Sequence, residues 1–425
     1  MKRNLLLFFC FFLLVTISFG QDAPMFGIKF SGFVKNDFYF DSRQTVSIRD
    51  GQFLLYPAAK DYDPYGDDIN ARSSFNIISI QSRLRGNITG PDALGAKTSG
   101  AIEGEFFGHA EGQINEFRLR HAYVKLDWEN THLLVGQYWH PMFIETSFPS
   151  TISFNTGVPF VAFARNPQIR LTQDFGNLSA MFTVLSQRDF TSTGPDGPDT
   201  KYLRNAVLPN LNLRAEYHTA WSNGHEFLGG ASVNYKKLMP RLETPVGFKT
   251  NEMVSSLSWN VFIKYVFPSI ELKAGFTHAQ DAHDLTMLGG YAIHELTNSD
   301  EGRYNYTPYK TAAAWGDFET RSDKWKVGLF LGYTKNLGAI EQLASFANIP
   351  GYPYSRGYNV DYVYRISPRL IFNTGKFRFA PEIEYTVAAY AKEEYGFPDI
   401  DRKGVVKNSE EVGNLRLLLG VYFFF

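Results

Sequence analysis

The stretch THAQDAHD (277–284) brings His278, Asp281, His283 and Asp284 close together, and these are side chains that can hold a divalent metal. Their spacing matches no standard zinc site, so the stretch reads as a polar loop. KDYDPYGDD (60–68) has the acidic look of a calcium loop, but Arg72 stands where a bidentate acid is needed. It reads as an acidic external loop. His121 and Ser153 are a base and a nucleophile by type, yet nothing in their spacing pairs them. No nucleophile elbow, phosphate loop or zinc-protease motif occurs. The ordered signal is basic. Arg83, Arg85, Arg118, Arg120, Arg165, Arg170 and Arg214 recur with Lys29 and Lys35, and Glu103, Glu105 and Glu216 are candidate counter-charges. Guanidinium forks suit carboxylate and phosphate oxygens. A basic wall favours anions in a narrow, partly desolvated passage, whereas the same arginines paired with glutamates would only stiffen it.

Those charges need elements that line them up, and period-two alternation supplies them. In 26–40, Phe26, Ile28, Phe30, Val34, Phe38 and Phe40 alternate with Lys29, Ser31, Lys35 and Asp37. In 74–88, Ile78, Ile80, Leu84 and Ile88 alternate with Gln81, Arg83, Arg85 and Asn87. In 99–111, Ile102, Phe106 and Ala110 alternate with Glu103, Glu105 and His109. Leu213, Ala215 and Tyr217 oppose Asn212, Arg214 and Glu216; Trp259, Val261 and Ile263 oppose Ser258 and Asn260. The apolar parity changes near His121, which implies a bulge that turns Arg118 and Arg120 to the charged face.

The chain opens on MKRNLLLFFCFFLLVTISFG, with Lys2 and Arg3 before an apolar run and small residues at Ser18 and Gly20. This reads as a secretory signal over 1–20, cut after Gly20, with one domain over 21–425. The run is short for a spanning helix. The single cysteine, Cys10, leaves with it, so no disulfide or thiolate metal site is expected. Loss of Lys2 and Arg3 takes the formal charge from -1 to -3, which gives no pull toward nucleic acid. An exported chain rich in Tyr, Phe and Gly, with negative mean hydropathy, fits a large soluble β protein or an outer-membrane barrel.

The loops separate these two. About sixteen strand segments can be counted, including a weaker one at 307–319. From the fourth on, the links after even-numbered segments are short, and those after odd-numbered ones are mostly long: 41–72, 141–164, 189–208, 238–250, 281–306, 337–357 and 392–410. The exceptions are a short link after segment three and a medium one after segment two. Segregated loop length marks an all-β transmembrane antiparallel barrel. The last segment, NLRLLLGVYFFF (414–425), then closes the barrel against the first. Leu415, Leu417, Leu419, Val421, Phe423 and Phe425 face lipid, and the final aromatics form a girdle. A terminal Phe also resembles the signal that hands such barrels to their assembly machinery.

After segment five, Pro141 cannot continue a ladder. The following 141–164 is rich in Phe, Ser, Thr and Pro, and a loop this apolar is expected to leave open water, by folding into the lumen or else as an external lid or a subunit contact. It carries one acid, Glu145, with His140 just before it and Arg165 at its exit. Here FRLRHAYVKL (117–126), LLVGQYWHPMF (133–143) and ARNPQIRLT (164–172) resemble the DcaP-like trimeric outer-membrane porins, best over 100–190. The resemblance implies an inward constriction loop, a homotrimer, and passive uptake of small anions such as dicarboxylates, without a cofactor or enzymatic activity. This chain departs from the family in having no clear coiled-coil extension before its first strand. The constriction would use Arg83, Arg85, Arg118, Arg120, His140, Glu145, Arg165, Arg170 and Arg214, with Glu103 and Glu105. Two other readings are a closed barrel that displays its loops and, more remotely, an outer-membrane hydrolase using His121 and Ser153.

Overall fold

The computed structural model describes residues 26–344, 352–394 and 396–425. The signal segment 1–20 lies outside the described residues. Sixteen strands follow in order: β1 (Gly27–Asp41), β2 (Ser74–Ile78 continued by Arg83–Thr89), β3 (Lys97–Glu105), β4 (Arg118–Asp127), β5 (Thr131–Trp139), β6 (Arg165–Phe175), β7 (Leu178–Leu185), β8 (Asn210–Ala220), β9 (Glu226–Leu238), β10 (Val254–Val266), β11 (Ile270–Gln280), β12 (Arg303–Thr320), β13 (Trp325–Ala339), β14 (Val360–Thr374), β15 (Phe377–Ala391) and β16 (Ser409–Phe424). Each pairs antiparallel with the next, and β16 pairs with β1, from Phe33↔Phe424 to Asp41↔Arg416. The sheet is therefore a closed barrel with no free edge, which satisfies every ladder within the chain.

The alternation decides which way each side chain faces. On β16, Leu415, Leu417, Leu419 and Phe423 are exposed outward, while Asn414, Arg416, Leu418 and Tyr422 are buried inward. β8 and β10 repeat this, with Leu213, Trp259, Val261 and Ile263 outside and Asn212, Arg214, Ser258 and Asn260 inside. Such a surface is stable only against lipid. The closing register can be tested directly. Phe38 lies opposite Leu419 on the outer face, and opposed residues sit about 4.5–5.5 Å apart, within disulfide reach. A Phe38→Cys/Leu419→Cys variant should cross-link on oxidation and run as a compact, reducible species on a denaturing gel. A double variant that fails to cross-link would place the seam elsewhere.

Three local expectations need correction. In β2, Ile78 and Ile80 point inward, not to lipid, and Phe75 and Ile77 take the outer face. The ladder with β1 breaks between Ile78 and Arg83, and the extra residue there reverses the parity. β3 stops at Glu105, so Phe106 and Ala110 belong to a link of 106–117; the short exception disappears and the long-loop rule extends to this end. The 281–306 link contains a further strand, Gly289–Asn298, paired with the start of β12 above the barrel rim. The bulge near His121 is present: the β3–β4 register slips between Glu103↔His121 and Gly104↔Leu119, leaving Arg120 as the extra residue. Arg118, Arg120 and His121 are all buried on the lumenal side as a result.

Two long-side loops enter the lumen. Loop 140–164 crosses it: Lys35 of β1 donates to the Ile152 carbonyl at 2.8 Å, and Glu382 of β15 accepts from the Ile152 and Ser153 amides at 2.8 and 3.0 Å. Asn155 donates to Glu384 at 2.7 Å, and Arg365 of β14 donates to the Val158 carbonyl at 3.0 Å. The second insert went unread in the sequence. Within the 42–73 link, a hairpin of Thr45–Ile48 and Phe53–Pro57 turns inward, and every residue of its second strand is buried. Arg416 and Arg365 hold it through the Gly51 carbonyl at 2.7 Å and the Leu55 carbonyl at 2.9 Å. KDYDPYGDD (60–68), by contrast, lies at the exposed rim, as expected of an external loop.

Candidate functional site

Alternation places charged side chains on the inner faces of β2, β3 and β4, and the bulge at Arg120 packs them closely. Arg83 meets Glu105 at 3.1 Å and Glu103 at 3.7 Å; Arg85 meets Glu103 at 3.1 Å. Arg118 meets Glu105 at 2.8 Å and Asp189 at 2.9 Å. Arg120 meets Glu103 at 2.7 Å and Glu105 at 2.6 Å, and Arg165 meets Asp189 at 2.6 Å. Five guanidiniums therefore share three carboxylates, a formal surplus of two positive charges in one lumenal cluster. Sequence reasoning found all of these residues except Asp189, whose loop position carries no strand parity.

A second group lies under the start of loop 140–164. Glu145 bridges Arg170 at 3.1 Å and Arg214 at 3.2 Å, and Arg214 also pairs with Glu216. Charges there balance. Burial opposes ionisation of Glu145, but Arg214 and Arg170 outweigh it and hold its carboxyl below the usual range. His140 is fully buried; its Nδ1 accepts the Met142 amide at 3.1 Å, and burial pushes it down to about 4. It is a neutral hinge of the loop, not a lumenal cation. Every arginine expected at the constriction thus has a carboxylate partner, and none of them is a bare guanidinium.

An aromatic layer stands beside the five-arginine cluster. Phe53 of the hairpin packs on Phe107 (6.4 Å between centroids), Phe154 (5.5 Å), Phe163 (5.4 Å) and Phe190 (5.8 Å). Phe53 and Phe107 are wholly buried. Arg118 lies over the Phe107 ring and Arg165 over Trp139, so cations and rings share one wall. On the short-turn side a cavity of about 320 Å³ is lined by Arg83, Arg120, Phe163, Lys326 and Arg378. On the long-loop side a cavity of about 480 Å³ is lined by Arg49, Arg188, Asp189, Phe190 and Arg356. Phe163 and Phe190, 5.9 Å apart, face one cavity each.

The other half of the lumen carries charges not singled out from sequence, Arg369 with Asp317 at 2.8 Å and Arg416 with Asp41 at 2.6 Å, beside the expected Lys35, which pairs with Asp37 at 3.0 Å. The same parity rule would have found them. THAQDAHD is not the polar loop expected. His278 lies on β11 and stacks with Trp259 of the outer face, while Asp281 and Asp284 are buried and clamp Lys236 at 3.0 and 2.6 Å. His121 and Ser153 share no hydrogen bond; His121 Nδ1 and Ser153 Oγ are each unpartnered.

These features define a class: a sixteen-stranded antiparallel barrel of the porin type, closed end to end, with segregated loop lengths and a loop folded into the lumen. The same fold occurs in the outer-membrane channel DcaP of Acinetobacter baumannii, at TM-score 0.66 and 15% identity over 96% of this chain and 99% of that one. It also occurs in the anion-selective porin from Comamonas acidovorans, at TM-score 0.54 and 12% identity over 94% and 100%. OmpT, an outer membrane protein of Vibrio cholerae, matches at TM-score 0.53 and 10% identity over 96% and 99%. No protein-family model and no curated protein sequence matches the chain. At these identities the likeness is one of fold.

Proposed function

We propose that this chain is a passive outer-membrane channel for small hydrophilic solutes, with a preference for anions. The observation that carries the preference is the cluster of five guanidiniums on three carboxylates at the lumenal wall. Where water is scarce, an uncompensated positive charge lowers the entry barrier for anions and raises it for cations. The fold shared with the DcaP channel and with an anion-selective porin supports the reading, and the DcaP resemblance adds dicarboxylates as the solutes to try first and a homotrimer as the assembly. The constriction residues proposed are Arg83, Arg85, Arg118, Arg120, Arg165, Glu103 and Glu105. Arg170, Arg214, Glu145 and His140 position the loop.

One observation favours a second reading. The aromatic layer around Phe53 separates the two cavities, which is the mark of a closed barrel that displays its loops. Reconstitution in a planar bilayer under a salt gradient decides between them. The channel reading expects discrete conductance steps and an anion-side reversal potential that moves toward the cation side in Arg83→Gln/Arg118→Gln/Arg120→Gln. Absent steps would favour the closed barrel. Steps with selectivity untouched by the three substitutions would sink the anion assignment.

A further inference from the structure

The cavity on the long-loop side differs from the lumen in how its arginines are held. Arg49, Arg188 and Arg356 reach it from three separate links, 42–73, 186–209 and 340–359. Arg356 has no carboxylate within ion-pair distance among the described residues. Its Nη1 donates to the His283 and Met287 carbonyls at 2.8 and 2.9 Å, and its Nη2 meets His283 Nε2 at 3.3 Å. His283 Nδ1 lies 2.9 Å from the Thr191 carbonyl and so must donate to it. The ring is then neutral and accepts from Arg356 at Nε2.

Arg49 is held by carbonyls too. Its Nε donates to Phe107 at 2.9 Å and its Nη2 to Gly108 at 3.3 Å, and its one nearby carboxylate, solvent-exposed Glu111, stands 3.8 Å off. Arg188 is exposed and has no hydrogen bond or ion pair among the described residues. Of the acids facing the cavity, Asp189 is already saturated by Arg118 and Arg165, which leaves Asp199. Carbonyl and imidazole partners orient a guanidinium without cancelling its charge. Arg356 and Arg49, held mainly by carbonyls, and the exposed Arg188 stand against Asp199 and the more distant Glu111, which leaves a net positive field at the outer mouth, with the three guanidiniums supplied by three separate links.

We infer that this outer cavity is a docking site for multiply charged oxyanions of the phosphate type. A tetrahedral dianion presents oxygens in several directions, which suits guanidiniums arriving from three loops better than a single bidentate contact would. The volume of about 480 Å³ accommodates inorganic phosphate with its bridging waters, or a small phosphomonoester. The site deepens the anion-channel reading, on which its role as the loading point rests, but binding there does not require conduction.

Calorimetric titration of the full refolded barrel in detergent with inorganic phosphate, at fixed ionic strength, tests the site. Chloride and acetate serve as monovalent comparisons and succinate as a second dianion. Saturable phosphate binding is expected, with competition from succinate and none from acetate. Arg188→Gln should weaken it about tenfold, as expected for one lost charge-assisted contact. Arg356→Gln should weaken it further, but that side chain also ties loops together. Arg188, without a hydrogen-bond or ion-pair partner among the described residues, is therefore the variant that does not act through the fold. Arg72→Gln, an exposed arginine elsewhere, should leave binding unchanged. No phosphate binding, or equal loss in Arg72→Gln and Arg188→Gln, overturns the site. Bilayer steps without phosphate binding would leave the channel standing and remove the site; binding without steps would do the reverse.

Discussion

Replacing Phe53, Phe107 and Phe163 together by alanine is expected to raise single-channel conductance severalfold. The three rings are buried against one another between the two cavities, and an apolar constriction of this kind excludes water and ions by dewetting. Cutting them back joins the cavity lined by Arg83 and Arg120 to the one lined by Arg49 and Arg188. The change has a cost: each buried Phe→Ala substitution removes about 3–5 kcal/mol, with less than additive loss because the rings touch. The barrel ladder is independent of these side chains, so heat-resistant mobility on gels should persist. Phe53→Leu, which keeps the layer apolar and filled, should leave conductance near that of the parent. Unchanged conductance in the triple variant would mean that ions do not pass this layer.

Glu105→Gln is expected to have the second large effect, and its two readouts move in opposite senses. Glu105 is fully buried and touches Arg83, Arg118 and Arg120. Removing its charge leaves five guanidiniums on two carboxylates, and breaking a buried pair in this way costs about 3–5 kcal/mol. The denaturant midpoint should fall, while the anion-to-cation permeability ratio should rise because the local surplus grows from two charges to three. The selectivity gain should shrink as salt is raised. Adding Arg118→Gln returns the surplus to two and should restore part of both properties. A variant that loses stability without any change in selectivity would make the cluster a wall brace and nothing more.

Much of this was legible because a barrel wall has one rule. Alternation sends Leu417 and Arg416 to opposite faces, and that rule recovers β16, β8 and β10 residue by residue. The parity change at His121 located a bulge, and the bulge put Arg118 and Arg120 together. The rule fails where the ladder does. At 79–82 one extra residue turned Ile78 inward. The 42–73 link hid a lumenal hairpin because nothing in a loop has a face; its only trace was the run Phe53-Leu54-Leu55-Tyr56, too apolar for open water. Pairing was invisible as well. Glu105 and Arg118 are thirteen residues apart and Asp189 lies seventy-one residues beyond Arg118, so no spacing could show that three acids would serve five arginines.

The seating of loop 140–164 also sets an order of events. Ile152 meets Glu382 across 230 residues and Val158 meets Arg365 across 207. Its berth does not exist until the carboxy-terminal quarter of the chain has joined the sheet, and closing so wide a contact is entropically late and slow. Until then Phe143, Phe154, Phe160 and Phe163 have nowhere dry to go. A maturing chain of this design carries its stickiest stretch uncovered until its last strands have joined the sheet.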